Sequence, residues 1–174
     1  MIDIFTYSSP LGEIWLGATA DGALCLCEFA PSRPAILRRF RSAPGSDGLM
    51  PKTVELAMHQ LDEYFAGQRQ EFDLPLTQPG TPFQQEVWRA LRRIPYGTTI
   101  SYAQLAATIG RPTAYRAVAA ACRANAIGII VPCHRVIGSS SALTGYAGGL
   151  DRKRRLLDLE VTYTATGGSA RMPR

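Results

Sequence analysis

The sequence has few of the residues that mark metal sites, disulfide scaffolds and membrane proteins. Its 174 residues include only 2 histidines and 4 cysteines, and no two cysteines form a CxxC pair. These counts argue against a structural zinc site and a disulfide framework. No stretch approaches the ~20 apolar residues that a membrane span requires, and the first ten residues do not resemble a secretory signal peptide. We therefore expect a soluble, cytoplasmic protein without a bound metal.

Acidic residues are scarce in the second half of the chain. Residues 1–80 contain 6 Lys and Arg against 10 Asp and Glu, whereas residues 81–174 contain 13 against 4. A basic surface of this kind favours an anionic partner, and nucleic acid is the commonest one. A basic, solvated surface without a ligand is the alternative that charge alone leaves open.

Turn residues and two kinds of apolar spacing organise the first half. Apolar side chains alternate along residues 13–18 as in a strand, and Asp21-Gly22 is typical of a hairpin turn. Residues 54–65 show apolar positions at helical spacing, followed by Gly67 where a C-terminal cap is expected. We predict a small N-terminal domain, residues 1–79, with an antiparallel sheet and a helix.

The remaining domain limits follow from composition. Residues 32–51 are rich in Pro, Arg, Ser and Gly, which is typical of a connection, and a short helix is predicted around residues 36–40. Periodicity breaks again at residues 74–80, where the charge balance also changes sign. We place the boundary there and predict a C-terminal domain over residues 80–160. The final residues, 161–174, are predicted to form a flexible tail.

Capping boxes mark two helix starts in the C-terminal half, at Thr81–Gln84 and Ser101–Gln104. The second of these helices ends at Gly110, and a helix of small residues is predicted over residues 114–124. A helix, a short turn with glycine and a second helix form the helix-turn-helix pattern of DNA-binding proteins. The predicted fold class is α+β: a domain with a sheet and helix, then a mainly helical domain with a helix-turn-helix.

The second helix of this motif is slim and basic. Arg116 and Arg123 are seven positions apart and share a face, whereas the helix lacks the Asn, Gln and Glu side chains that read base edges. We therefore expect a close contact with DNA that is indifferent to sequence. Tight packing of a small-residue helix in a core is the alternative.

A polar tetrad, Pro132-Cys133-His134-Arg135, follows an apolar run over residues 126–131 that we predict to be buried and extended. The thiolate is the nucleophilic form of cysteine, so a reactive thiol needs a base or a positive field nearby. Adjacent side chains on an extended chain point apart. We therefore expect a water between the thiol of Cys133 and the imidazole of His134.

This tetrad belongs to a longer pattern along the chain. The segments that carry it are Phe83–Trp88, Ile94–Tyr102, Arg116–Val118, Asn125, Pro132–Val136, Gly145–Gly149, and Lys153 with Leu156, Leu157 and Glu160. The pattern resembles the O6-alkylguanine-DNA alkyltransferases, also called methylated-DNA:protein-cysteine methyltransferases. The resemblance is specific over residues 80–160 and general over residues 1–80.

The resemblance implies a function in DNA repair. A family member transfers an alkyl group, typically methyl, from O6-alkylguanine or O4-alkylthymine in double-stranded DNA to its own cysteine. The transfer is irreversible, so each molecule reacts once, and it uses no cofactor. We expect the protein to be a monomer.

Catalytic roles are implied by motif position. The cysteine that matches Cys133 accepts the alkyl group, the histidine that matches His134 takes its proton through a water, and the glutamate that matches Glu160 orients and charges that histidine. This is the logic of a catalytic triad applied to a thiol. Asn125 matches a residue that holds the active-site turn, and Tyr102 matches one that donates a hydrogen bond toward the guanine.

DNA and substrate contacts are implied in the same way. The arginine that matches Arg116 enters the duplex in place of the extruded base, because a stacked base keeps its O6 substituent away from a buried thiol. The other expected DNA contacts are Ser101, Thr113, Ala117, Ala121 and Arg123. The expected substrate pocket consists of Val136, Tyr146, Ala147 and Lys153.

The sequence departs from the common family pattern at two positions. Ala126 stands where proline commonly follows the asparagine, and Ser141 stands where glycine is common. We therefore expect the loop after Cys133 to be stiffer or differently placed.

Two other functions stay open on the residues alone. A DNA-binding sensor of alkylated bases would use the same helix-turn-helix, although the related sensor proteins lack the cysteine that stands here at position 133. A cysteine hydrolase would need an oxyanion hole and a histidine distant in sequence, and only His59 is available.

Overall fold

A computed structural model describes residues 2–30 and 49–166 of the protein. The short helix predicted around residues 36–40, and residues 167–174 of the predicted tail, lie outside these ranges. Within the described ranges, no helix combines the length and the apolar character that crossing a membrane requires.

The first domain contains a three-stranded antiparallel sheet. Its strands are β1 (Ile4–Ser9), β2 (Gly12–Ala18) and β3 (Leu24–Phe29), in that order across the sheet. The predicted hairpin turn joins β2 to β3, and Gly22 in this turn has a left-handed φ of 86°. Every residue of β3 is buried.

Helix α1 (Lys52–Phe65) packs on this sheet through the apolar stripe that the sequence predicts. Val54, Ala57 and Leu61 are fully buried there, and burial of each larger aliphatic side chain contributes about 1.5–3 kcal/mol. Gly67 follows the helix with a φ of 72°, and its N–H donates to the carbonyl of Tyr64 at 3.0 Å. The predicted glycine at the end of the helix is confirmed.

Two segments from outside the sheet cover the outer edge of β3. The N–H and C=O of Leu24 bond to residues 75–77 at 2.8 and 2.9 Å. Those of Cys27 bond to residues 126–128 at 2.9 and 2.7 Å. Part of the segment 74–80, which has no periodicity, is therefore paired with β3. The same strand also pairs with the second half of the chain, through residues 126–128.

The second half is mainly helical, and the predicted α+β fold is confirmed. Its elements are α2 (Pro82–Leu91), β4 (Ile100–Ser101), α3 (Tyr102–Thr108), α4 (Tyr115–Arg123), a 3-10 turn (Cys133–Arg135), β5 (Val136–Ile137) and α5 (Leu150–Ala165). Both predicted capping boxes form, with the side chains of Thr81 and Ser101 accepting from the backbone N–H three residues later at 3.2 and 3.0 Å. The helix-turn-helix consists of α3 and α4.

The predicted start of the flexible tail at residue 161 is wrong, because α5 continues to Ala165. The Thr-rich composition of this segment has modest helix propensity. Packing outweighs that propensity: the ring of Tyr163 lies so close to Gly67 that no Cβ would fit there. The last turns of α5 are thus held by the first domain.

Candidate active site

The carboxylate of Glu160 lies fully buried on α5 and accepts five hydrogen bonds. Oε1 accepts from the Tyr64 hydroxyl at 2.8 Å, from Nε2 of His134 at 2.7 Å and from Nη2 of Arg135 at 3.0 Å. Oε2 accepts from Nε of Arg135 at 2.9 Å and from the N–H of Gly97 at 3.2 Å. Donors from three separate parts of the chain therefore meet at one carboxylate.

This carboxylate is ionised. Burial alone would raise the pKa of Glu160, but the hydrogen bonds and charges of His134 and Arg135 outweigh burial and hold the pKa well below its usual range. The guanidinium of Arg135 supplies the compensating charge, and its Nη1 donates in addition to the carbonyl of Ile94 at 2.6 Å. A buried carboxylate needs such partners, since an uncompensated charge in the interior is very costly.

His134, the middle residue of the 3-10 turn, is fully buried against this carboxylate. Burial lowers the pKa of His134 below 6.5 and outweighs the opposite effect of Glu160. The imidazole is therefore neutral at pH 7, with its proton on Nε2 facing the carboxylate. The buried Nδ1 finds no hydrogen-bond partner among the residues that the structure describes. Its lone pair is available to accept a proton.

The resemblance implies that Glu160 keeps His134 protonated, whereas His134 is neutral in the free protein. Burial, not the carboxylate, determines the protonation state of the free imidazole. Glu160 instead fixes which nitrogen of His134 carries the proton. Its Oε1 lies 2.7 Å from Nε2, a distance at which a carboxylate stabilises a charged imidazole.

Cys133 begins the 3-10 turn and is half-buried. The side-chain amide of Asn125 donates to Sγ of Cys133 at 3.3 Å and to the carbonyl of Val131 at 2.9 Å. Its Oδ1 accepts from the N–H of Ile127 at 3.0 Å and from Nε2 of Gln78 at 2.7 Å. Asn125 thus joins the thiol, the segment before it and the connection between the two halves.

The segment before Cys133 is a compact turn, so the prediction of an extended strand over residues 126–131 is wrong. Ile129 has a left-handed φ of 67°, and the N–H of Val131 donates to the carbonyl of Ile127 at 2.9 Å. A β-branched residue in this conformation costs on the order of 1–3 kcal/mol. The side chains of these three residues are buried, and their burial offsets that cost.

Lys153 supports the loop after Cys133. It is fully buried, and Nζ donates to the carbonyls of Val136 at 2.6 Å and Thr144 at 2.8 Å. Burial lowers its pKa. The Tyr102 hydroxyl donates its hydrogen to the same Thr144 carbonyl at 3.1 Å, so without substrate this donor is already used within the protein.

The expected pocket residues divide into two groups. Tyr146 and Ala147 line a pocket together with Cys133, whereas the side chain of Val136 is fully buried behind it. On the same loop, Ser141 has a left-handed φ of 61°. Such a φ is the reason that glycine suits this position.

The expected DNA contacts lie mostly on one exposed face of α4 and the turn before it. Thr113, Arg116, Ala117 and Arg123 are exposed. The expected contact from Ala121 is wrong, because its side chain is only 2% exposed and faces the core. Its carbonyl accepts from the indole N–H of Trp88 at 2.9 Å, which fixes α4 against α2. The Ser101 hydroxyl is half-buried and forms the cap of α3.

The comparisons with known proteins cover both halves of the chain. The family model described as 6-O-methylguanine DNA methyltransferase, DNA binding domain, matches residues 82–162. The model described as 6-O-methylguanine DNA methyltransferase, ribonuclease-like domain, matches residues 5–78. The chain belongs to the 6-O-methylguanine DNA methyltransferase family.

Individual relatives agree with this assignment. A methylated-DNA–protein-cysteine methyltransferase from Mycobacterium bovis is 60% identical over 164 residues, which are 92% of this chain and 93% of the relative. The crystal structure of the Mycobacterium tuberculosis O6-methylguanine methyltransferase has a TM-score of 0.81 and 43% identity, and covers 94% of each chain. The M. tuberculosis protein in complex with DNA has the same TM-score with 44% identity, and covers 92% and 94%.

Three residues of this methyltransferase site carry no predicted role in the sequence analysis. Arg135 stands inside the quoted motif, and the presence of an acidic residue, Glu160, in the same motif could have indicated an ion pair. Tyr64 is part of the apolar stripe of α1, where a tyrosine suggests core packing. Gln78 lies in a segment without periodicity, so nothing in the sequence indicates its bond to Asn125.

Replacing Glu160 by Gln should slow alkyl transfer far more than it weakens DNA binding. The amide cannot hold His134 and Arg135 through charge, and loss of assisted proton transfer typically costs about 10²-fold or more. Single-turnover rates and binding of an unmodified duplex measure the two effects. Asp158→Asn makes the same change at an exposed position of α5 and should leave both unchanged. A wild-type rate in folded Glu160→Gln would contradict a role in proton transfer.

The pH profile should follow the lowered pKa of His134. Because the neutral base persists below pH 6.5, the single-turnover rate should stay flat as the pH falls through 6.5 and decrease only at lower pH. The folded state binds fewer protons than the unfolded state in that range, so the free energy of unfolding should also decrease as pH falls. Rates between about pH 8 and about pH 5 test this. A rate that is halved at or above pH 6.5 would argue against a buried, neutral histidine.

Proposed function

We propose that this protein repairs alkylated DNA by moving the alkyl group of O6-alkylguanine, and of O4-alkylthymine, onto Sγ of Cys133. The bond between the alkyl carbon and the base oxygen breaks as the carbon–sulfur bond forms. The observation that carries the proposal is a half-buried thiol, next in the chain to a buried, neutral histidine that pairs with an ionised glutamate, close to the end of a helix-turn-helix. No cofactor takes part in these bond changes.

Proton movement follows from the hydrogen bonds of the site. Nδ1 of His134 receives the proton of the Cys133 thiol through a bridging water, and the imidazolium that forms is stabilised by Glu160. The thiolate then attacks the alkyl carbon in line with the departing base. The Tyr102 hydroxyl turns from the Thr144 carbonyl toward the base and donates to it, which stabilises the departing anion. The thioether product is stable, so each molecule reacts once.

The exposed face of α4 is the proposed DNA contact. Its alanines allow the helix to approach the duplex closely, and it lacks amide side chains for reading bases, so we infer binding in the minor groove. Arg116 fills the gap that the extruded nucleotide leaves. Relatives support the DNA partner, since the M. tuberculosis protein is described in complex with DNA.

Monomeric action in the cytoplasm is part of the proposal. Every residue assigned to the site belongs to one chain, so the chemistry needs no second copy. None of the four cysteines, which all lie in the described residues, forms a disulfide, and this suits a reducing compartment.

The two other functions have less support. A sensor that only binds alkylated bases has no need of a thiol with a histidine and an ionised glutamate beside it. A hydrolase would need a second base near Cys133, but His59 lies on the surface of α1, with 69% of its side chain exposed, and pairs with Glu63 at 3.3 Å.

Incubation with a duplex that carries O6-methylguanine should add the mass of one CH₂ to each protein molecule, on Cys133. Intact-protein mass spectrometry and peptide mapping measure the amount and the position. Cys133→Ala should abolish the transfer and keep DNA binding, while Cys122→Ala, which changes another thiol at the same pocket, should keep the transfer. Methylation of any other cysteine, or more than one methyl group per molecule, would refute the proposal.

Replacing Arg116 by Ala should impair repair of duplex DNA selectively. Extrusion of a base costs a few kcal/mol, so the loss of its replacement should slow duplex repair by about tenfold or more, and should barely affect a free O6-alkylguanine base. Arg154→Ala removes the same charge from an exposed position on α5 and serves as the control. An equal loss on both substrates would mean that Arg116 supports the pocket or the fold instead of the duplex.

A further inference from the structure

Arg152, in the first turn of α5, joins the loop after Cys133 to the N-terminal sheet. Its Nη1 donates to the carbonyl of Gly148 at 3.2 Å, and its Nε donates to the carbonyl of Leu11 at 3.0 Å. Its guanidinium carbon lies 4.6 Å from the centre of the Phe29 ring. We call these four residues the Arg152 clasp. The proposed chemistry gives the clasp no role.

Both sides of the clasp border the reactive thiol. The pocket beside Cys133 is lined from the loop by Tyr146, Ala147 and Gly148, and from the sheet by Cys27 and Phe29. The two sides touch, because a Cβ added to Gly148 would lie 2.8 Å from the Phe29 ring. The N-terminal domain therefore forms one wall of the pocket.

The pocket is narrow while the clasp is closed. Its free volume is about 20 Å³, and one water needs about 10–15 Å³ on the same measure. A group of the size of a methyl fits this space. A benzyl group, with an aromatic ring attached to the reacting carbon, is larger than this space, so its fit depends on how closely Gly148 and Phe29 approach each other.

The clasp contacts a short segment of the loop that begins at Gly145 and ends at Gly149. Gly149 has a left-handed φ of 95° and Gly145 one of 61°. Glycine adopts more backbone conformations than other residues, so the backbone around Gly148 can change its path. Lys153 holds the other end through the Thr144 carbonyl. Loss of the Arg152 contacts would therefore release the Gly148 end and leave the rest of the loop in place.

We propose that Arg152 is a positioning residue that restricts the alkyl groups accepted by Cys133, because it holds Gly148 against Phe29. The inference rests on the proposed alkyl transfer. It names a determinant of substrate size at that site. Arg152 contacts no reacting atom, and it acts through the position of the loop and the sheet.

Three variants separate this role from a general effect. Arg152→Ala removes all contacts of the clasp. Arg152→Lys keeps the charge, but an ammonium group cannot reproduce two divergent hydrogen bonds and stacking on a ring. Arg155→Ala removes one positive charge from an exposed position of the same helix and serves as the matched control.

The experiment compares single-turnover rates on two duplexes of identical sequence, one with O6-methylguanine and one with O6-benzylguanine. DNA affinity cancels in the ratio of the benzyl rate to the methyl rate. We expect Arg152→Ala to raise this ratio by about tenfold, the scale at which pocket shape discriminates between apolar groups. Arg152→Lys should raise it less, and Arg155→Ala should leave it at the wild-type value.

Each outcome decides one question. An unchanged or lower ratio in folded Arg152→Ala would overturn the role of the clasp, as would an equal rise in Arg155→Ala. If Arg152→Ala does not fold, Arg152→Lys decides by the same ratio. Absence of methyl transfer by the wild-type protein would refute the proposed function itself.

Discussion

One buried carboxylate determines the arrangement of the site. Glu160 has no contact with water, so its charge is tolerable only with the donors that surround it. Those donors come from α1, from the turn after α2, and from the 3-10 turn at Cys133. None of these elements can shift without breaking a hydrogen bond to a charge, and such bonds are about twice as strong as neutral ones. The carboxylate therefore fixes the imidazole beside the thiol and, equally, the contact between the two halves of the chain.

The thiol and the DNA-binding helices are positioned by a second set of contacts. Trp88 holds α4 through the Ala121 carbonyl, and Asn125, two residues after α4 ends, bonds to the thiol itself. The distance along the chain from the exposed face of α4 to Cys133 is short, and the strained turn at Ile129 fills most of it. In the proposed reaction, a base that leaves the duplex at α4 meets this turn. The turn places the nucleophile in advance and removes an ordering cost from the reaction.

Local features of the fold could be predicted from the sequence, because each depends on residues close together in the chain. The capping boxes at Thr81 and Ser101, the glycine after α1 and the pair of helices α3 and α4 are of this kind. Ser141 is a related case, since the departure from glycine lies at a residue whose φ is left-handed. The position of Cys133, His134 and Glu160 in a common motif also predicted their proximity.

Two of the errors share a physical cause, which is that the partner lies far away in sequence. Ala121 has the pattern of an exposed helix position, but it is buried, and Trp88, 33 residues earlier, bonds to its carbonyl. The end of α5 has the composition of a tail, but Tyr163 packs on Gly67. The bond from Tyr64 to Glu160 spans 96 residues, and an apolar helical stripe gives no indication of it. Composition and periodicity describe each segment, whereas these contacts depend on how segments pack together.

The spacing of the residues around Glu160 also links reactivity to folding. Contacts between residues so distant in sequence form only when most of the chain is already arranged, and they slow the folding of proteins that rely on them. Until they form, position 133 carries an ordinary thiol without a fixed base beside it. A newly made or partly unfolded molecule therefore has no particular tendency to react with free electrophiles in its surroundings. The thiol of this protein can be used once. Because its reactivity depends on folding, the thiol becomes a good nucleophile only in molecules that are already able to bind DNA.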